Sequence, residues 1–202
     1  MKNKHIITLA AALLLLDQAL KIWIKTHMTI GQEYTIIADW FKIHFLENPG
    51  MAFGLQLGGV TGKILLTTFR LAAVAAIAWY ITRLNRREAP AGLVACFTLV
   101  LCGALGNIID SIFYGAIFTT SEGQIATLFP AAGYAPLLQG RVVDMLYFPL
   151  FQGYLPSWVP LWGGDYFIFF RPVFNLADSY ITTGVIALLL FYRKFFSNKK
   201  TS

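Results

Sequence analysis

The chain has 202 residues, of which 57% are hydrophobic and 13% are charged, and its formal net charge is +6. Soluble domains are about one-quarter charged, so this composition excludes an ordinary soluble domain and indicates an integral membrane protein. The positive charges lie at the ends of apolar runs and do not form one basic face, which argues against a nucleic-acid-binding protein.

Four apolar segments are long enough, or nearly long enough, to cross a bilayer. They lie at about residues 5–24, 60–81, 92–113 and 177–196. Lipid offers the backbone no hydrogen-bond partners, so we predict an all-α membrane protein with four transmembrane helices, forming one domain over residues 1–202. The first segment has the basic start of a signal peptide. However, Asp17 and Gln18 follow it without a small-residue cleavage site, which predicts a retained span.

Clusters of lysine and arginine mark one side of the membrane. They occur near the N-terminus, in the short connection that holds Arg83, Arg86 and Arg87, and near the C-terminus. With an even number of spans, the positive-inside rule places both termini in the cytoplasm. Segments 26–59 and 114–175 are then predicted to lie on the outer side.

The two outer segments differ from ordinary loops. Phe41, Ile43 and Phe45 alternate with other residues and predict a small extracytoplasmic β element. Residues 145–174 are rich in aromatic side chains, and four prolines there exclude a regular spanning helix. Because aromatic side chains are enriched at the lipid–water interface, we expect residues 147–172 to lie against the membrane surface.

Charged residues within apolar spans are costly and indicate functional sites. Helix rise places Asp17, Asp110 and Asp178 in the same half of the membrane, near the outer segment that holds Asp144. Two converging aspartates can share one proton, so that one activates a water as a base and the other acts as an acid. A structural alternative remains for Asp178, because it lies with Asn175 where a helix N-cap is expected.

The basic residues near these acids allow two interpretations. Arg70 lies at a depth similar to that of Asp17 on the neighbouring span, so a contact between Asp17 and Arg70 is one hypothesis. The other is that Asp17 pairs with Lys21, one helical turn later in the sequence.

Five blocks of polar and small residues lie at the ends of the predicted spans. They are Leu16-Asp17-Gln18 with Lys21, Glu47-Asn48-Pro49-Gly50-Met51-Ala52-Phe53-Gly54, Gly103-Ala104-Leu105-Gly106-Asn107-Ile108-Ile109-Asp110, Val142-Val143-Asp144 and Phe174-Asn175-Leu176-Ala177-Asp178. In this order and at these places, the blocks resemble those of the lipoprotein signal peptidases, also called signal peptidase II. The resemblance covers nearly the whole chain.

The resemblance implies an aspartyl endopeptidase that cleaves prolipoproteins on the N-terminal side of a cysteine carrying diacylglycerol. It implies that Asp144 and Asp178 are the catalytic pair. The supporting and substrate-binding residues that we expect are Asp17, Asn48, Gly50, Gly54, Asn107, Asp110, Arg141 and Asn175. We further expect contact with membrane lipid, inhibition by globomycin-type peptides and no metal or organic cofactor. The expected protein is a monomer in the bacterial inner membrane, with its active site toward the outer face.

The sequence departs from the family pattern in two respects. Ser111 follows the third block, where the family usually has arginine, and Arg141 is the candidate to replace that charge. The gaps on either side of Asp144 are also longer than usual in the family. Two inserted segments, near 113–139 and 147–172, are therefore expected, either as lids, as interfacial anchors or as structural filler.

Three other functions are compatible with intramembrane polar residues. A small transporter or channel subunit could use Asp17, Arg70 and Asp178 as an ion path. A serine-type peptidase would need Ser111 or Ser179 beside a lysine, but the lysines lie mostly at the ends of spans. A non-catalytic assembly factor is the third, and cleavage of a lipidated peptide distinguishes the aspartyl peptidase from all three.

Overall fold

A computed structural model describes residues 3–49 and 59–197 of the chain. Its helices are α1 (Asn3–His27), α2 (Gly59–Arg86), α3 (Ala91–Ile109), α4 (Gly115–Ile117), α5 (Leu176–Phe191) and α6 (Arg193–Ser197), with a π-helical turn (Asp110–Tyr114) joining α3 to α4. Its strands are β1 (Glu33–Ile37), β2 (Phe41–Asn48), β3 (Val142–Tyr147), β4 (Phe151–Tyr154), β5 (Tyr166–Phe169) and β6 (Val173–Phe174). Gly50 and Gly54, two of the expected site residues, lie outside the described residues.

Three helical stretches are long and apolar enough to cross a membrane. They are Lys4–His27, Thr61–Arg86 and Ala91–Ile117. Each contains most of one predicted span and extends beyond it by several residues. The fourth predicted span, 177–196, is shorter than expected, because α5 has 16 residues and ends where Tyr192 leaves the helical conformation. At about 1.5 Å per residue, α5 is about 24 Å long, so its length alone does not establish a fourth span.

A four-stranded antiparallel sheet lies beside the helices, in the order β1-β2-β3-β6. Strand β2 confirms the strand predicted from Phe41, Ile43 and Phe45. The β structure is more extensive than predicted, because β4 and β5 form a second, two-stranded sheet within the aromatic segment. Aromatic side chains occupy both faces of that hairpin, so its sequence lacks the alternation that identifies a half-buried strand.

Residues 118–141, which join α4 to β3 and contain most of the first insertion predicted near 113–139, pack into the body of the protein. Phe118 and Ala126 from this segment are buried against Ile24 and Met28 of α1 and against Phe45 of β2. Burying apolar side chains in such a cluster typically contributes several kcal/mol to the free energy of unfolding. This insertion is therefore part of the hydrophobic core. The second insertion, which contains β4 and β5, is mostly exposed.

Two glycines of α3 allow its neighbours to approach closely. A Cβ atom at Gly103 would overlap the carbonyl oxygen of Ala177 at the start of α5. One at Gly106 would lie 2.6 Å from the Asp17 carboxylate of α1, closer than van der Waals contact permits. The close packing lets the backbone amide of Ala177 donate to Asp17 Oδ1 at 3.0 Å. The polar ends of α1, α3 and α5 therefore meet at one place.

Candidate active site

Asp144 and Asp178 are brought together by the pairing of two strands. β3, which carries Asp144, pairs with β6 through Leu146–Phe174 and Tyr147–Val173. β6 leads directly into α5, whose first turn contains Asp178. The antiparallel pairing thus places the strand that holds one aspartate beside the helix start that holds the other.

Asn175 connects these two aspartates by hydrogen bonds. Its side-chain Nδ2 donates to Asp144 Oδ1 at 2.7 Å, and its Oδ1 accepts from the backbone amide of Asp178 at 3.0 Å. The backbone amide of Asn175 in turn donates to Asp178 Oδ2 at 3.3 Å. This is a capping box, so the structural alternative foreseen for Asp178 is present in the fold. The cap uses one carboxylate oxygen of Asp178.

Asn107 of α3 contacts the other carboxylate oxygen of Asp178. Its Nδ2 donates to Asp178 Oδ1 at 2.8 Å, while its Oδ1 accepts from Lys21 Nζ at 3.0 Å and from Asn175 Nδ2 at 3.1 Å. An ammonium group can only donate, so Lys21 requires that the oxygen of the Asn107 amide face it. The nitrogen must then face Asp178. Lys21 therefore sets the orientation of the amide that contacts the aspartate.

Lys21 lies between two buried carboxylates. Its Nζ is 3.0 Å from Asp17 Oδ2 and 2.8 Å from Asp110 Oδ2, and all three side chains are almost completely buried. Gln18 Nε2 donates to both acids at 3.1 Å. Of the two hypotheses for Asp17, the pairing with Lys21 is therefore the one observed. Arg70 lies near enough to Asp178 for their opposite charges to attract.

Asp110 links this ion cluster to the strand that carries Asp144. The backbone amide of Val143 donates to Asp110 Oδ2 at 3.2 Å. Asp110 lies at the start of the π-helical turn, a feature that often occurs near functional sites. A carboxylate that holds the residue preceding Asp144 fixes the position of that strand relative to α1 and α3.

Asp144 lies in an environment that favours its neutral form. The side chain is 6% exposed, and it accepts hydrogen bonds from Asn175 and from Asn48. Burial, followed by the negative charge of Asp178, raises the pKa of Asp144 to about 7, although the hydrogen bonds and the charge of Lys21 oppose the shift. Such a carboxyl group can hold a proton near neutral pH, as a general acid must.

Arg141, the candidate to replace the arginine missing at position 111, pairs with two glutamates. Its guanidinium lies 2.9 Å from Glu122 and 3.6 Å from Glu47. Ser111 donates to the backbone oxygen of Asn107 at 2.9 Å, which is a bond within its own helix. The first insertion thus supplies an acid that pairs with Arg141, and the supporting role expected of Arg141 stays a prediction.

A second buried polar cluster was not predicted from the sequence. Lys25 of α1 forms a short ion pair with Glu47 and donates to Ser121 Oγ at 2.9 Å, and Ser121 donates to Glu47 at 3.0 Å. The side chains of Lys25, Glu47 and Ser121 are buried. The signal that could have identified it is Lys25 itself, since a lysine one turn after Lys21 extends the polar stripe of α1.

The sequence and the fold were compared with known proteins. Residues 9–194 match the family model described as signal peptidase (SPase) II. A lipoprotein signal peptidase of Porphyromonas gingivalis is 51% identical, over 95% of this chain and 84% of that protein. Those of Amoebophilus asiaticus and Chlorobium phaeobacteroides are 39% and 36% identical, over 90% and 93% of this chain and over 75% and 95% of their own lengths.

A solved structure of a bacterial membrane enzyme has a similar fold. It is 25% identical, covers all of this chain and 95% of its own, and superposes with a TM-score of 0.63. A transporter or channel subunit is supported by none of the similarities described here.

Proposed function

Because the chain belongs to the signal peptidase II family and is an aspartic peptidase that processes lipoproteins, we propose that Asp144 and Asp178 are its catalytic pair. The observation that carries the proposal is the single amide of Asn175, which contacts both residues. Its side chain contacts the carboxyl group of Asp144 and the backbone amide of Asp178, and its own backbone amide donates to the Asp178 carboxylate, so one residue holds both aspartates in a fixed relation. Such preorganisation is what acid–base catalysis requires.

The two aspartates have different surroundings, which assigns them different roles. The carboxylate of Asp178 accepts hydrogen bonds from two N–H donors, which orient both of its oxygens as acceptors. In the proposed mechanism Asp178 is therefore the base that takes a proton from the attacking water. Asp144 is buried and holds a proton, which it transfers to the carbonyl oxygen or to the leaving nitrogen. Asn107 and Asn175 orient the pair without adding charge, and Asp17, Asp110 and Asn48 hold the elements around it.

The proposed substrate is a prolipoprotein whose cysteine carries diacylglycerol, cleaved on the N-terminal side of that cysteine. Burial of the acyl chains in the bilayer holds this cysteine near the interface. The reaction uses only protein side chains and water, and globomycin-type peptides compete with the substrate. The active form is a monomer.

The pH dependence of cleavage tests the role of Asp144. With Asp178 as the base, the active form carries the proton on Asp144, whose pKa is about 7. As pH rises through about 7, Asp144 loses that proton, and kcat/KM is expected to fall by about tenfold per pH unit. The measurement is kcat/KM on a lipidated prolipoprotein from about pH 5 to about pH 9, with the unlipidated precursor and globomycin as controls. A rate that stays constant to the alkaline end contradicts the assignment of the acid.

We place α5 across the membrane as the fourth span, with both termini in the cytoplasm. Leu189, Leu190 and Phe191 of α5 are at least 66% exposed, as side chains facing lipid are, and the polar start of α5 lies at the active site. A fourth crossing leaves the sheet and both insertions on the outer side of the inner membrane. This orientation follows from the distribution of lysine and arginine.

Thiol labelling tests this orientation. In a Cys96→Ser/Cys102→Ser background, a cysteine at the exposed position 124 should react with an impermeant reagent in spheroplasts. A cysteine at exposed position 88, between α2 and α3, should react only after lysis. Labelling at position 88 in intact spheroplasts with none at position 124 reverses the orientation.

A further inference from the structure

The second insertion forms an exposed aromatic hairpin, which consists of β4, β5 and the tip that joins them, residues 151–169. Leu161 at the tip is 91% exposed, Trp158 is 79% exposed and Trp162 is 61% exposed. Exposed apolar surface on this scale marks a site of interaction with another apolar phase or partner.

Both faces of the aromatic hairpin are exposed. The cross-strand pair Phe151–Phe169 lies on one face, and the pair Tyr154–Tyr166 lies on the other. All four side chains are between 49% and 77% exposed. A protein partner or a second copy of the chain covers one face of a sheet. A lipid phase surrounds both, so the distribution of aromatic side chains favours lipid.

The aromatic hairpin receives little stabilisation from contacts with the rest of the protein. Strands β4 and β5 contact each other extensively and make few contacts with the other described elements. An isolated two-stranded hairpin is at best marginally stable in water. A surrounding apolar phase would supply the stabilisation that the rest of the protein does not.

The backbone hydrogen bonds and the low charge of the tip suit an environment poor in water. The backbone amides of Leu155, Val159 and Gly163 donate to carbonyl oxygens within the tip at 2.9 to 3.0 Å. Asp165 is the one charged residue between positions 151 and 169. Open strand edges do not occur in the hydrocarbon layer, and tryptophan and tyrosine are enriched at the headgroups. The depth that fits all these properties is the interface.

The root of the aromatic hairpin is joined to the active site. Phe148 stacks on Phe41 of β2 with 4.7 Å between ring centroids, and on Phe174 of β6 with 5.7 Å. Phe174 immediately precedes Asn175, which contacts both aspartates. The root of the hairpin therefore packs against the segment that positions the two aspartates.

We propose that the aromatic hairpin is inserted at headgroup depth into the leaflet adjoining the sheet, and that this contact fixes the β3–β6 segment relative to the membrane. The occupant of its exposed surface is lipid. The proposal concerns where the hairpin lies and does not require that Asp144 and Asp178 be catalytic.

Depth-dependent quenching tests the insertion. In the cysteine-free background, Leu161→Cys carries an environment-sensitive fluorophore, and Gln124→Cys, which lies in the exposed loop of the first insertion, is the matched control. The protein is reconstituted in nanodiscs with one chain per disc, which removes a second copy as a partner. We expect blue-shifted emission at position 161, with several-fold stronger quenching by a lipid nitroxide near the glycerol than by aqueous iodide. The control should show the reverse.

Two outcomes overturn the proposal. One is equal access of iodide to positions 161 and 124. The other is a blue shift at position 161 that appears only with two chains per disc, which identifies a second copy as the occupant. A Trp158→Ser/Trp162→Ser variant provides a second measurement, because position 161 should move toward water when the two anchors are removed. None of these readouts depends on peptidase activity, so a failure here is distinguishable from a failure of the catalytic assignment.

Discussion

Asp144→Asn and Asp178→Asn are each expected to lower kcat by about 10²- to 10⁴-fold while the protein still folds and inserts. Asparagine keeps the size of the side chain and removes proton exchange. At position 178 it retains an oxygen that can accept from the backbone amide of Asn175, so the helix cap survives. The measurements are single-turnover cleavage of a lipidated prolipoprotein and the thermal unfolding midpoint in detergent.

This experiment separates catalysis from helix capping. If Asp178 served only as part of the capping box, Asp178→Asn would keep its activity, because the asparagine oxygen still accepts from the backbone amide of Asn175. Substantial cleavage by that variant would contradict the assignment of Asp144 and Asp178 as the catalytic pair. Comparable cleavage by Asp144→Asn would contradict an aspartyl mechanism. Asp39→Asn, on an exposed turn, is the matched control and should have full activity. Asp110→Asn should lose less activity, because Asp110 acts by holding the backbone amide of Val143.

The positions of the three long apolar helices could be predicted, and the candidate aspartates could be identified, because both depend on local sequence. Hydropathy identifies an apolar helix wherever it lies in the fold, and the motif around Asp178 is contained in five consecutive residues. The strand at Phe41 was predictable for the same reason, since alternation is a local property. The shortness of α5 was not, because the residues just before Tyr192 are apolar and no proline or glycine after them marks the end of the helix.

The contacts between distant segments could not be predicted. Lys21 follows Asp17 by one turn, a spacing that normally indicates a solvent-exposed ion pair, yet α3 supplies Asp110 and buries the pair completely. Arg141 was the candidate to replace the arginine that the family has after the third block, where this chain has Ser111. The insertion contains Glu122, which pairs with Arg141, and no pattern in either segment indicates their contact.

Lys21→Met should cause the largest loss of stability of the changes considered. The substitution leaves Asp17 and Asp110 as two buried carboxylates without their common cation, which typically costs about 3–5 kcal/mol. Lys42→Met is the matched control, because Lys42 forms a 2.8 Å pair with Glu33 on the exposed edge of the sheet. An exposed pair contributes about 1 kcal/mol or less. If the thermal unfolding midpoints of the two variants fall by the same amount, the buried cluster does not stabilise the fold.

A compensating variant separates the positioning role of Lys21 from its role in stability. Lys21→Met/Asp110→Asn removes one negative charge along with the positive one, so the cluster keeps its original net charge and much of the lost stability should return. Cleavage should remain low, because Asn107 Oδ1 no longer has the ammonium donor that directs its Nδ2 to Asp178. Recovery of activity in parallel with stability would show that Lys21 acts only by balancing charge. Recovery of stability alone shows that the amide of Asn107 must be held in one orientation for Asp178 to work.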